Sequence, residues 1–340
     1  EGTRHEGARH ARAPARATRA DRPLSVEGGR AVFGAVDLGA NSIHLLVAAV
    51  EGHRVITLLD ESVKLGLGDT VDAHGLIAGA AREELVGELV RYAATARDLG
   101  ARSVAFVGTQ PLRRAGDARA VVAAVEAATG VPLHVLGHEE EGLLTLLGAT
   151  AGRPILDALA IVDIGGGSSE VVVVEPGART LSVGLPAGGA SLTGLLVASD
   201  PPTAADFAAL QAEARRVVGA APAASPVRMI AVGGTSSNLV KIIRAAARDR
   251  ALTPSRLAAA RRTLGGARAG EVAARFGITE KRCRILPAGA AILEALMERY
   301  GVARVEALEE GIREGVVLAL ARGGPGWRDR LDALAHGWGG

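Results

Sequence analysis

The chain is expected to be an α/β protein built from two related halves, and three observations predict this. The segment AVDLGANSIHLLVAAVE at 35–51 is echoed by IVDIGGGSSEVVVVE at 161–175. Each copy runs from an apolar strand through Asp, an apolar residue, Gly, two small residues and Ser into a second apolar strand that ends on an acid. Between and after the copies the apolar spacing alternates between strand and helix periods, the mark of mixed βα architecture. The composition, 48% hydrophobic and 22% charged over 340 residues, is globular and long enough for two domains.

The elements follow in order. Residues 1–30 lack an apolar period and hold seven arginines against four acids, so they are expected to be a disordered, solvated tail. The first hairpin turns at Gly39. Helical spacing at Leu76, Ile77, Leu85, Leu89 and Val90 predicts a helix over 76–98, before a buried strand from Ser103 to Gly108. A helix over 117–129, a short strand at Leu133–Leu136 and a helix from Glu139 to Leu147 come next, the last with its acids at the electropositive end. After the second hairpin, the stretch Thr180 to Ser199 is uncharged. Its Pro186 and four glycines suit a strand, loop and helix better than a membrane span. A helix over 203–220, a strand at Arg228–Val232 and a Gly233-Gly234-Thr235 turn lead into helical patterns at 267–276, 287–300 and 309–322. The expected divisions are a first domain at 31–152, a second at 153–322 and a C-terminal tail at 323–340.

Several functions are excluded early. Aromatics at 2% argue against base-stacking platforms, and the single cysteine, Cys283, against disulfide frameworks and thiolate zinc clusters. Outside the Arg-rich tail the chain is close to neutral, so no nucleic-acid partner is expected. No secretory apolar core follows the first arginines, and the expected location is the cytoplasm without membrane attachment. The eight histidines show no metal-ligand spacing, and His44 reads as packed within its strand. Cys283 lies between Arg282 and Arg284, which could lower its pKa, but no Cys–His signal supports a nucleophile.

The candidate chemistry lies at the turns. Gly-rich turns present backbone N–H groups as an anion nest, and an Asp at the strand end suits a hard cation. One such turn alone is commonly an ordinary hairpin; two, with Ser42 and Ser168 at matching offsets, could clamp one phosphate from both sides. Gly233, Gly234 and Thr235 offer a third contact or a simple strand-to-helix turn. In GTQPLRR at 108–114 an arginine could fork onto phosphate oxygens or stay in solvent. One acid of Glu139, Glu140 and Glu141 could activate water, or all three could serve the helix N-terminus.

These residues bring a family into view. The chain resembles the exopolyphosphatase/guanosine pentaphosphate phosphatase (Ppx/GppA) family of the actin–hexokinase–Hsp70 superfamily over about 32–322. The match rests on VDLGANSIHLLV (36–47), GTQPLRRAGD (108–117), EEEGLLTLLG (139–148), VDIGGGSSE (162–170), VGGTSSNL (232–239), LPAGAAIL (286–293) and GIREG (311–315). The resemblance implies two actin/RNase H-like domains (the ASKHA fold) around a cleft, without the C-terminal HD-like domain of larger members. It implies that Gly39, Ala40, Asn41 and Ser42, and Gly165, Gly166, Gly167 and Ser168, hold phosphate. It further implies Asp163, Glu170 and Asp37 as ligands for Mg²⁺, with Mn²⁺ an alternative, Arg113 as the substrate arginine and Glu141 as the catalytic base. The family's arginines at two positions are replaced by Leu143 and Ser191, and a serine upstream of GIREG is missing.

The implied function is hydrolysis of terminal phosphoanhydride bonds in polyphosphate, short chains favoured, or in guanosine pentaphosphate, a link to the stringent response. A homodimer is a further expectation from the family. Two rivals stand beside it: a superfamily kinase, and a non-enzymatic sensor that binds guanosine tetra- or pentaphosphate.

Overall fold

The computed structural model describes residues 30–178, 180–243 and 249–338. The expected tail at 1–30 lies outside the described residues, Arg30 excepted. Strands β1 (Ala31–Leu38), β2 (Ser42–Glu51) and β3 (Arg54–Lys64) form an antiparallel meander. Helices α1 (Leu67–His74) and α2 (Ala80–Asp98) lead to β4 (Ala101–Gly108), which pairs in parallel with β1. Then come α3 (Gln110–Arg114), α4 (Ala118–Thr129) and β5 (Leu133–Val135), giving a sheet ordered β3-β2-β1-β4-β5.

The chain repeats this topology. After α5 (His138–Thr150), strands β6 (Leu159–Ile164), β7 (Ser169–Val174) and β8 (Leu181–Leu185) form a second meander. Helices α6 (Gly189–Leu196) and α7 (Ala204–Val218) precede β9 (Arg228–Val232), which lies parallel to β6. The remainder is α8 (Gly233–Ile243), β10 (Ala251–Leu252), α9 (Pro254–Gly266), α10 (Ala269–Phe276), α11 (Glu280–Tyr300), β11 (Val305–Ala307) and α12 (Ile312–Gly323). The second sheet is ordered β10-β11-β9-β6-β7-β8. Both sheets thus extend a meander by parallel strands on one side, the two related halves that the echo predicted and the ASKHA pattern that the resemblance implied.

The halves exchange helices. Helix α5 packs on β6, β7 and β8, whereas α12, from the end of the chain, packs on β1 and β2 and on α5 itself. One buried cluster therefore includes Ala35, Leu46 and Val107 of the first sheet and Ile161, Val172 and Val232 of the second, with Leu144, Leu147, Val316 and Leu320 between them. The helices meet backbone to backbone: a Cβ on Gly148 would run into the carbonyl of Gly311, and one on Gly315 into that of Leu144. Only glycine permits this approach.

Some local expectations differ from the structure. The helix expected at 76–98 starts at Ala80, and Leu76 and Ile77 lie in the preceding loop. The helix expected at 287 starts at Glu280, where the Thr279 hydroxyl accepts from Arg282 N–H, and Pro287 is buried inside it. The cap and that burial outweigh the hydrogen bond the proline removes. Residues 323–340, expected as a tail, fold as far as described: a 3₁₀ segment (Gly324–Arg330) and α13 (Leu331–Ala335) bury Trp327, Leu331 and Leu334. Strand β3, whose charges hide its period, is an edge strand with half-exposed faces. Among the described residues, no helix is long and apolar enough to cross a membrane.

Candidate functional site

Both hairpin turns are built alike. Gly39 N–H donates to Ser42 carbonyl at 3.1 Å, and Gly165 N–H to Ser168 carbonyl at 3.0 Å. A short helix braces each turn. Gly68 N–H at the start of α1 donates to Ala40 carbonyl at 2.8 Å; Gly189 and Ala190 N–H at the start of α6 donate to the Gly165 and Gly166 carbonyls, both at 2.8 Å. Threonines close the strand ends: Thr109 hydroxyl donates to Leu38 carbonyl at 3.2 Å and Thr235 hydroxyl to Ile164 carbonyl at 2.6 Å. Thr235 is thus buried with its donor spent on the end of β6, and its side chain does not open toward a ligand. Gly233 and Gly234 remain beside the site, since a Cβ on either would strike Asp163 or Arg282.

The candidate acids converge where the turns meet. Asp163 and Glu170 are register partners across the second hairpin, and Asp37 faces His44 across the first. Burial, then the negative charges of Glu170 and Asp37, push the Asp163 carboxyl up to about 7. Burial also pushes Asp37 up to about 6, against Arg313 and with Glu170. Asp37 Oδ1 is buried without a hydrogen-bond partner. Three crowded, desolvated carboxylates with one orphaned oxygen are a donor set that fits a divalent, oxygen-seeking cation. Ser168 hydroxyl donates to Glu170 at 3.0 Å, and Asn41 side-chain N–H donates to Ser42 Oγ at 3.3 Å.

The arginine and the base are in contact. Arg113 Nη1 donates to Glu141 Oε2 at 2.5 Å and to Leu136 carbonyl at 3.1 Å, while Nη2 stands 3.8 Å from Glu170. Its neighbour Arg114 turns away to Asp72. Glu141 turns inward, and its carboxyl is held well above the usual range by burial and Glu170, with Arg113 opposing. Glu140 instead caps Gly137 N–H at 3.0 Å and pairs with Arg328.

Four site neighbours escaped the sequence reading. His138 Nδ1 lies 3.3 Å from Arg113 and 3.5 Å from Glu170. One ligand atom each of His138, Glu141 and Glu170 falls within a 4.8 Å group, close enough for a metal. Arg282 lies against Gly234, its charge disfavoured by burial and favoured by Asp163. Arg313 pairs with Asp60 at 2.5 Å and faces Asp37. The Gln110 amide covers Gly167. Position 313 lies within GIREG and position 110 within GTQPLRR, the signals that marked them; His138 and Arg282 sit in helices whose period gives no hint of a cleft. Ser191, where the resemblance implied an arginine, accepts from Gly188 N–H at 2.8 Å and donates to Gly167 carbonyl at 3.2 Å, so it ties the second turn. Leu143 is buried. Cys283 is buried too, and burial with Asp200 and Glu280 raises its thiol, the reverse of the lowering its arginine neighbours suggested.

Comparison with known proteins agrees with this fold. The model of the Ppx/GppA phosphatase family matches residues 46–322. Exopolyphosphatase 1 of Mycobacterium tuberculosis is 30% identical over 304 residues, covering 84% of this chain and 87% of that one. An uncharacterized Streptomyces coelicolor protein is 31% identical over 305 residues, covering 86% and 91%. Crystal structures of the Aquifex aeolicus Ppx/GppA family member and of an exopolyphosphatase from Cytophaga hutchinsonii share the fold. They are 23% and 20% identical; each covers 86% of this chain and 98% of its own, with TM-scores of 0.75.

Proposed function

The chain belongs to the Ppx/GppA phosphatase family, and on that premise we propose that it is a metal-dependent phosphoanhydride hydrolase. Its substrate is inorganic polyphosphate, short chains favoured, or guanosine pentaphosphate, and its product is terminal orthophosphate. The observation that carries the reading is the Arg113–Glu141 pair beside the carboxylates of Asp37, Asp163 and Glu170, where two glycine turns meet.

The residues divide the work. The turns from Gly39 to Ser42 and from Gly165 to Ser168 receive the terminal phosphoryl group through the amides that follow the glycines, the Gly39 and Gly165 N–H groups being spent within the turns, and Arg113 forks onto its oxygens. Glu141 takes a proton from the attacking water as the new P–O bond forms and the anhydride P–O bond breaks. Burial and Glu170 raise the proton affinity of Glu141 while Arg113 opposes them, and a raised proton affinity suits a general base. Asp163, Glu170 and Asp37 would hold a divalent cation, Mg²⁺ or Mn²⁺, which when bound neutralises phosphate charge. Positioning and charge stabilisation carry most catalysis of this kind.

The preference for short chains follows from charge. Long polyphosphate needs a basic track beyond the cleft, whereas this chain is close to neutral outside residues 1–30 and carries Leu143 and Ser191 where the resemblance implies arginine. A cytoplasmic location and pairing into a homodimer go with this reading. A phosphate-release panel across polyphosphate lengths, guanosine pentaphosphate and ATP, with Mg²⁺ or Mn²⁺, tests the reaction. Binding without release under every condition would leave a sensor, and a phosphorylated acceptor would make it a kinase. On gels, gradual shortening of the whole polyphosphate population supports release between cuts; full-length chains beside orthophosphate alone would refute it.

A further inference from the structure

His138 opens α5 three residues before Glu141, and strand β8 fixes it twice. Ser182 hydroxyl donates to the His138 carbonyl at 3.1 Å. The imidazole itself lies over Gly184, where a Cβ would collide with Nδ1, Cε1 and Cγ. Gly184 is the register partner of Glu170, so the bare position in β8 opens a slot beside that carboxylate. The ring fills the slot with Nδ1 directed at Arg113 Nη2. The guanidinium is therefore gripped on both prongs: Nη1 by Glu141 and the Leu136 carbonyl, Nη2 by His138, with Glu170 at 3.8 Å.

We propose that His138, seated in the slot left by Gly184, is a positioning residue that holds the plane of Arg113 through Nδ1 and so sets where the substrate arginine stands relative to the base. A guanidinium bonded through Nη1 alone can swing about that bond; a second bond on Nη2 removes this freedom. The structure suits Nδ1 as the acceptor, since arginine N–H groups only donate. Of the His138, Glu141 and Glu170 group, the first two bond the Arg113 guanidinium directly, while the Glu170 carboxylate stands 3.8 Å from it. The kinetic consequence rests on the hydrolase reading above; the geometry does not.

Three variants separate positioning from simple stability. His138→Ala removes the acceptor. His138→Asn puts an oxygen where Nδ1 stood. Gly184→Ala leaves the histidine in the chain but fills its slot, and the half-exposed ring can rotate outward without disturbing the fold. The first readout needs no turnover: ¹⁵N signals of the Arg113 guanidinium, identified by their loss in Arg113→Lys. Restricted rotation should give separate Nη resonances in the wild type and in His138→Asn, and averaged ones in His138→Ala and Gly184→Ala. In phosphate release, His138→Ala and Gly184→Ala should each lower kcat about tenfold, with KM changed less than about threefold, because a misplaced group costs most in the transition state. Their combination should cost no more than either alone, and His138→Asn should recover most of the rate. Unaltered Arg113 signals in His138→Ala, or a His138→Asn variant as impaired as the alanine one, would overturn the proposal. A wild-type protein that releases no phosphate would refute the hydrolase reading instead, and the Arg113 signals would still decide the role of His138.

Discussion

Hairpin β1–β2 and hairpin β6–β7 share their turn bond, their bracing helix and the threonine that closes the strand, yet they differ in charge across from the aspartate. Asp37 faces His44 in the first, and Asp163 faces Glu170 in the second. Burial, with Arg313 and Arg282 beyond, pushes His44 down to about 4, so it is neutral at physiological pH. Glu170 adds a negative charge beside Asp163 and helps lift it to about 7. The backbone of a duplicated turn is thus conserved within the molecule while its charge is concentrated in one copy. On the proposed reading, the second hairpin, with two adjacent carboxylates, contributes more to holding the cation than the first, with Asp37 alone.

The largest effect is expected at the residue both hairpins face. Glu141→Gln should lower turnover by roughly 10²–10⁴ while calorimetric binding of a short polyphosphate persists. Glu140→Gln should keep a near-normal rate and lose stability, because Glu140 serves the helix cap and Arg328. The opposite ranking would show that the wrong glutamate has been chosen as base.

Next comes the metal. Asp163→Asn should raise the Mg²⁺ concentration for half-maximal activity by at least the roughly 10–100-fold typical of losing an outer-shell partner. Asp37→Asn should raise it less, since Arg313 already offsets part of the Asp37 charge. Equal shifts in a metal titration would erase the asymmetry between the hairpins.

A smaller effect lies in stability without metal. Asp163 is raised from its unfolded value near 3.8 to about 7 in the fold, so its contribution is fully present below pH 4 and is lost as pH rises to 7. In EDTA at pH 8, Asp163→Asn should melt above the wild type, with the gap closing toward pH 4; saturating Mg²⁺ should stabilise the wild type more. A wild-type Tm that gains on the variant as pH rises in EDTA would contradict the crowded-carboxylate account.

The smallest effect is expected at His44. Its lowered pKa gives stability that is present above about 6.5 and is lost as pH falls through about 4. His44→Gln should flatten that acid loss of Tm between pH 6.5 and 4, with little change at pH 8. An unchanged acid limb would mean that the imidazole is not held neutral.

The chain's own order of residues determined the two hairpins, the helix that carries Glu139 to Glu141 and the arginine segment before Ala115, because turn glycines and apolar periods act between near neighbours. The resemblance carried by its motifs also singled out Asp37, Arg113, Glu141, Asp163 and Glu170 as candidates, and in the fold Arg113 meets Glu141 while Arg114 pairs with Asp72. Other features were decided by packing at long range. The exchange of α5 and α12 depends on glycines at 148 and 315 that let two backbones touch, and either glycine alone looks like an ordinary helix residue. The folded segment after Gly323 depends on a place for Trp327, which no local period describes. His138, Arg282 and Gln110 enter the site because strands and helices distant in the chain carry Gly184, Gly234 and Gly167 to their side chains. A missing Cβ leaves no periodic trace in the sequence, and what fills the space it leaves is settled only when the sheets and helices come together.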